Sequence, residues 1–446
     1  MTLSILIWLP LAIAVVAGQL PARITGRLAA AGSLVTLGIA ISFLARFKLS
    51  HPGLQFVTDQ VWISALGIHY KLGLDGLNVS LVVLGCLLFS AMWGTGERVR
   101  ATTKLVVYTL VGSFFMLAGA IATGALASSQ HGTPLTFALS SLQHLPLSHG
   151  SQEWIFLAFA AAFLVKMPLI PFHGWLADGY KSMPIPAVAV FSGILSKVAA
   201  YGFLRIVLPL FPFATVHFQL LMLLICLVSI LWSTSVAFTT PDARLVVAYS
   251  SVAQLSFITL GIFSLRSQGA QGALLQMLNH GLVTAPLFFI VAALAARAGG
   301  SEKLSDMGGI AFRAPVLASL FLIVAFATLA MPGSSNFIGE FLILLGVFRA
   351  KLAISVIAFL GVVGAAFYAL RVFIGAMHNR PRPRVASRGI GISDFIPMGA
   401  LALVILVFAF YPQFGLKRSE PTVNATVSSV VPPRAIVASP VTPAAR

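Results

Sequence analysis

Long apolar runs separated by short polar breaks follow one another through almost the whole chain. About 20 apolar residues make one helical membrane crossing. On that yardstick twelve spans are predicted, near 3–20, 28–45, 74–93, 104–126, 153–173, 184–206, 215–238, 243–264, 271–296, 313–350, 352–376 and 391–412. The tenth is too long for one crossing and is interrupted at Met331-Pro332-Gly333, which predicts a discontinuous helix whose freed backbone groups are satisfied inside the protein. The fifth is broken in the same manner by Pro168 and Pro171, just after Lys166. Two Pro-interrupted segments in corresponding positions of two halves point to an inverted-repeat architecture, although a proline also serves as a simple kink.

Composition supports the pattern. The 446 residues are 59% hydrophobic and only 9% charged, against about 25% charged in soluble domains. An all-α polytopic membrane protein follows. The net charge of +17 does not indicate a nucleic-acid partner, because the basic residues are scattered in short inter-helix loops. That distribution fits topology determinants and anionic lipid. With the N-terminus placed outside, the inner loops hold fourteen Lys and Arg residues, among them Arg23, Arg100, Lys181, Arg244, Arg313 and Arg382, and the outer loops hold six. The bias predicts both termini outside. No basic n-region or cleavage site marks the N-terminus, so the first span is expected to be retained. Cys86 and Cys226 lie inside apolar runs with no metal spacing, so buried inert thiols are expected and no metal or iron–sulfur site. The stretch 127–152 contains TFALSSLQHLPLS, a candidate short interfacial helix. Residues 416–446, rich in Pro, Ser, Thr and Val without periodicity, are expected to be a flexible tail.

The spans carry few ionisable residues. Lys166 and Lys197 each sit deep in consecutive apolar segments, where an ammonium costs about 2.5–3.5 kcal/mol on an isolated helix. Snorkelling to a helix end is the plain alternative, but Lys197 has long apolar stretches on both sides. Glu340 follows the Pro-Gly break in PGSSNFIGEFLILL, where a partly dehydrated carboxylate can accept and release protons. His280, in LLQMLNHGL, is either a titratable relay or a hydrogen-bonded core residue. Arg371 reads as a counter-ion or anchor. His173, Asp178 and Asp242 stand near span ends, Asp242 also where a carboxylate complements a helix dipole. No nucleophile–base pair or phosphate loop stands out, so no catalytic residue is assigned. A line of titratable groups across consecutive spans suits a proton path.

Taken together, FLAFAAAFLVKMPLIPFHGWLAD, ILSKVAAYGFLR, DARLVVAYSSVAQLSF, LLQMLNHGL and LAMPGSSNFIGEF closely resemble the antiporter-like, proton-pumping membrane subunits of respiratory complex I, nearest the subunit M type, equivalent to mitochondrial subunit 4. YTLVGSFFMLAGA and FYPQF also match, and the resemblance covers nearly all of 70–415. It implies an antiporter-like fold with two discontinuous helices, divided here into N-terminal helices (1–100), a first half (101–210), a second half (211–376) and a last helix (377–415). It also implies that Lys166 is the central proton carrier, that Lys197 links the two half-channels, that His280 corresponds to the family's histidine on the proton path, and that Glu340 ends the path toward the outer face, with His173, Asp178, Asp242 and Arg371 as supporting residues. Quinone reduction elsewhere in the complex would drive the movement. Flavin, iron–sulfur clusters and quinone are then expected on partner subunits and no cofactor on this chain. The implied setting is a bacterial-type inner membrane beside L- and N-type neighbours.

The departures from the family pattern are informative. The third span passes straight into TGERVRATTKLVVYTLVGS, a junction that follows the fifth helix in relatives. Two helices, about 60 residues, are therefore missing by this reading, and with them the glutamate that pairs with the lysine at Lys166. Glu97 corresponds to a loop residue and does not replace it. Tyr180 and Gln254 stand where histidines are usual, and Leu245 where a basic residue is. The same motifs occur in multi-subunit cation/proton antiporters and energy-converting hydrogenases, and a non-pumping remnant is a further alternative. Gene neighbours and complementation of a subunit-M deletion would separate these.

Overall fold

The computed structural model describes residues 3–18, 22–48, 53–64, 68–75, 78–79, 82–83, 86, 99–380, 385–386 and 389–431. Most of the expected third span, the junction containing Glu97, and Arg382, Arg384 and Arg388 lie outside the described residues.

Helices α1 (Ile5–Gly18) and α2 (Ala22–Ala45) pack together, and a hairpin of β1 (Gln55–Ile63) and β2 (Ile68–Leu74) follows. The remainder is helical: α3 (Val99–His131), α4 (Leu139–Leu142), α5 (His149–Lys166), α6 (Leu176–Ser182), α7 (Ile185–Leu210), α8 (Pro212–His217), α9 (Gln219–Thr239), α10 (Ala243–Phe263), α11 (Ser267–Arg297), α12 (Ile310–Arg313), α13 (Pro315–Thr328), α14 (Ser335–Ala350), α15 (Leu352–Met377), α16 (Ile392–Phe410) and α17 (Gln413–Val430). Among the described residues, six helices are long and apolar enough to cross a membrane alone, and α16 with α17, bent by 66°, makes up to a seventh. Other expected spans are built from shorter pieces. α13 and α14 together form the tenth, and α5 ends at Lys166, where the fifth was expected to break.

Both breaks are satisfied internally. After Lys166 the chain turns through Pro168 and Pro171, and the indole of Trp175 donates to the carbonyl of Val165 at 3.0 Å, taking up a group the helix end leaves free. Between α13 and α14, Gly333 adopts φ +90°, a conformation that costs a glycine little, and Ser334 N donates to Met331 O at 2.8 Å.

The fold is the helical one expected, with one local addition and one correction. The addition is the antiparallel β1–β2 hairpin, which pairs Asp59 with Lys71 and Val61 with His69. A window sized for membrane helices passes over two short alternating strands. The tail expected from 416 begins instead with a packed helix, α17, whose Thr422, Val423, Thr426 and Val427 are buried. Their spacing of three and four residues is one helical face, with threonine methyls filling apolar positions. The short helix α4 lies within the stretch nominated for one.

The apolar core is divided. One cluster contains Val188–Val190, Val246–Val252, Leu278–Leu294 and Ala365–Met377. A second contains Ala199–Leu210, Leu255–Phe263, Ala270–Met277, Ile343 and Ala358. The same helices contribute to both, one end to each. Between the two clusters the buried polar residues fall in register: Ser192 to Lys197, Ser250 to Gln254, Gln276 to His280, and Ser334 to Glu340. Large apolar side chains on the perimeter, including Leu110, Phe114 and Phe115 of α3 and Leu360 and Phe367 of α15, are exposed as a lipid-covered surface requires.

Candidate functional site

The middle polar layer is assembled by α7, α10, α11 and α14. α7 contains two π-helical turns, Phe191–Leu195 and Phe203–Val207, which bracket Lys197. Such turns release backbone carbonyls from the regular ladder. The carbonyl of Ser192 accepts from the Lys197 ammonium and, at 2.8 Å, from Ser196 Oγ. Lys197 is 1% exposed, and this carbonyl is the acceptor its amino group reaches. His280 of α11 is also buried, lies within electrostatic reach of Lys197, and leaves its Nδ1 without a hydrogen-bond partner.

From His280 the polar groups continue to Glu340. Asn279 donates to the carbonyl of Ser335 at 2.5 Å, which ties α11 to the first turn of α14. Glu340 Oε1 accepts from Gln254 Nε2 at 2.7 Å and from Gln276 Nε2 at 3.4 Å, and Gln276 also donates to Gln254 Oε1 at 2.8 Å. The carboxylate is thus held on one oxygen by two carboxamides. Its other oxygen, Oε2, is buried and unpartnered, as are Oδ1 of Asn279 and Asn336 and Oγ of Ser335. Close helix approach makes this possible: a Cβ on Gly272 of α11 would stand 2.6 Å from Ile343 N and 2.8 Å from Gly339 O.

The remaining expected residues stand elsewhere. Lys166 is half-buried at the C-terminal end of α5 and, among the described residues, has no carboxylate within ion-pair distance. His173 stacks edge-on against Trp232 at 4.3 Å. Asp178 pairs with Lys104 at 2.6 Å, and Asp242 pairs with Lys181 while capping α10 through Leu245 N at 3.2 Å. Arg244 beside it pairs with Glu302 at 2.5 Å and donates to the carbonyls of Tyr180, Lys181 and Met183. These groups gather at one end of the bundle, the basic end, which also holds Arg297 and Arg313 on the carbonyls of Gly389 and Val385. Arg371 donates to the carbonyls of Phe238 and Thr240, so it closes the C-terminus of α9 rather than joining the axis. Among the described residues, no group of three His, Cys, Asp or Glu side chains is placed to hold a metal ion.

Sequence reasoning named Lys197, His280 and Glu340 but missed the amides between them. Gln276, Asn279 and His280 recur at three and four residues, as do Ser335, Asn336, Gly339 and Glu340. That spacing puts each set on one helical face, and it was a usable signal.

Comparison with known proteins agrees with this architecture. Residues 74–367 match the family described as NADH:quinone oxidoreductase/Mrp antiporter, TM. The chain is 30% identical to the NADH-quinone oxidoreductase subunit M of Rickettsia conorii over 440 residues, covering 85% of this chain and 88% of that protein. It is 34% identical to the same subunit of Escherichia coli K12, covering 85% and 89%. A chain of respiratory complex I from Thermus thermophilus, solved with bound NADH, superposes with a TM-score of 0.85 at 27% identity, covering 96% of this chain and 99% of that one. A chain of the Mrp complex from Dietzia sp. DQ12-45-1b shares the fold, with a TM-score of 0.79 at 19% identity over 97% and 98%. This membrane-integral chain therefore belongs to the NADH:quinone oxidoreductase/Mrp antiporter family, as an antiporter-like subunit of the complex I subunit M type.

Proposed function

We propose that the chain translocates protons as a membrane subunit of an NADH-quinone oxidoreductase, driven by quinone reduction on partner subunits. The observation that carries this reading is the buried polar layer running from Lys197 through His280 to Glu340, between two apolar cores. Such a layer is costly in a membrane and is built where charge must move. In this reading L- and N-type membrane subunits flank the chain, and flavin, iron–sulfur clusters and quinone belong to partners. The basic end faces the interior of a bacterial-type cell and both termini lie outside.

The two halves differ. Lys197 keeps His280 and Glu340, so the path that ends at Glu340 is complete. Among the described residues Lys166 has no carboxylate partner, and in this reading its half-channel is impaired or completed by a neighbouring subunit. Proton pumping by the assembled complex in sealed membranes tests both points. Glu340→Gln is expected to abolish this subunit's contribution and Lys166→Ala to have a weak effect. Full pumping with Glu340→Gln would overturn the reading.

A further inference from the structure

Glu340 of α14 closes a ring with one side chain from each of two other helices. Gln254 of α10 donates its Nε2 to Glu340 Oε1 at 2.7 Å. Gln276 of α11 donates its Nε2 to Gln254 Oε1 at 2.8 Å and, more loosely, to Glu340 Oε1 at 3.4 Å. All three residues are buried. The polarity of this ring is fixed. A carboxamide offers two N–H donors at one end and an acceptor oxygen at the other, whereas a carboxylate offers acceptors alone. Turning Gln276 over would set its oxygen against two other oxygens, and turning Gln254 over would set its oxygen against the carboxylate. The arrangement carries a cost. Gln276 Oε1 is buried and has no donor among the described residues, and a Cβ on Gly339 of α14 would stand only 2.4 Å from it. A buried acceptor without a donor is unfavourable, so this carboxamide is turned for what its nitrogen does at Gln254 and Glu340.

We infer that Gln254 and Gln276 are positioning residues that pin Glu340 through Oε1, so that the carboxyl group takes up and releases its proton at Oε2 alone. This rests on the proton-translocating reading above. Oε1 faces two N–H groups, and a proton placed on it would point at their hydrogens. Oε2 is buried and without a partner among the described residues, which leaves it as the atom where the O–H bond forms and breaks. Loading makes one O–H bond at Oε2 and neutralises the carboxylate. Unloading breaks that bond and restores the charge on the same group. The carboxamides stay out of the transfer, because an amide N–H is far too weak an acid to pass its proton on. Without them the carboxyl group would turn over about its last torsion, which is broad and roughly two-fold. Either oxygen would then carry the proton. The ring gives a symmetric group one exchanging end.

The test uses the assembled complex in sealed vesicles and follows the infrared C=O band of protonated Glu340, identified by its loss in Glu340→Gln. Hydrogen bonds accepted by a carboxyl C=O lower its stretching frequency. Gln254→Leu and Gln276→Leu keep the bulk and remove the donors, and each is expected to move the band to higher wavenumber. Gly339→Ala retains all three side chains while its Cβ displaces Gln276 Oε1, so it is expected to reproduce the Gln276→Leu shift. In each variant the number of protons pumped per quinone reduced is expected to fall toward that of Glu340→Gln. A band that stays in place in Gln254→Leu and Gly339→Ala overturns the inference. So does a fall in pumping with the band unmoved, which would mark the ring as structural only. Full pumping by Glu340→Gln would instead overturn the proton-translocating reading, and the band position would still report on the pinning of the carboxyl group.

Discussion

The contact between α11 and α14 offers a sharp test of how the site is held. Gly272→Ala adds a single methyl group to α11. That Cβ would stand 2.6 Å from Ile343 N, 2.7 Å from Leu342 Cβ and 2.8 Å from Gly339 O. Ordinary contact begins at 3.4 Å, so the closest approach is about 0.8 Å short. Two of the three atoms are backbone and cannot rotate away, so the helices must separate. A separation of that size breaks the 3.4 Å bond from Gln276 to Glu340 and stretches the 2.5 Å bond from Asn279 to Ser335 beyond 3 Å. Overpacking of this kind costs about 1–3 kcal/mol. Gly375→Ala is the control, because its Cβ would meet nothing within 4 Å and it lies inside α15. There the exchange is expected to stabilise by about 0.5–1 kcal/mol. The assay pairs the thermal unfolding midpoint of the purified complex with proton pumping per quinone reduced. Gly272→Ala is expected to lower both, while Gly375→Ala lowers neither. Normal pumping and stability in Gly272→Ala would show that the close approach does not hold the carboxamides on Glu340.

Three further outcomes follow from the geometry. Arg244→Met removes the partner of Glu302 and the donor to three loop carbonyls at a site only 11% exposed, and is expected to cost about 3–5 kcal/mol in a thermal or denaturant melt. On the exposed hairpin, Lys71 first and His69 second hold Asp59 below its ordinary value of 3.8. Its stabilisation is therefore present above that value and lost as pH falls through the lowered one. Hydrogen exchange should show the β1–β2 amides losing protection at that acid limit, and Asp59→Asn should give weaker protection without the acid step. Finally, truncation after Pro412 removes a helix with buried Val423 and Val427 and is expected to lower the melting temperature and assembly yield. A dispensable tail would leave both unchanged.

The large-scale architecture was legible because membrane insertion imposes one long, simple pattern. Helix discontinuities at Lys166 and at Met331–Gly333 were legible too, because proline and glycine act locally. α17 was not, since its mean composition is polar and only its buried Thr and Val face shows that it packs. The hairpin was hidden by the choice of period. Within the site, ionisable residues drew attention because charge in lipid is improbable, whereas amides carry no such mark. Gln254 was noted only as a departure from a histidine, although its contact with Glu340 makes it part of the site.

The contrast between the two lysines can be put in terms of hydrogen bonds. Lys166 ends a helix, where the carbonyl pole favours a cation, and it is half-buried, so its tolerance needs no special device. Lys197 is fully inside, on a helix distorted by two π turns, and the carbonyl of Ser192 answers one of the three donors of its ammonium. His280, Asn279, Asn336 and Glu340 likewise each retain a buried atom without a partner. Apolar substitution would relieve such a layer, since unsatisfied buried polar groups cost about 1–3 kcal/mol each. In the proton-translocating reading proposed above, these are the atoms that a passing proton and its waters would bond, which is the reason for keeping the layer polar.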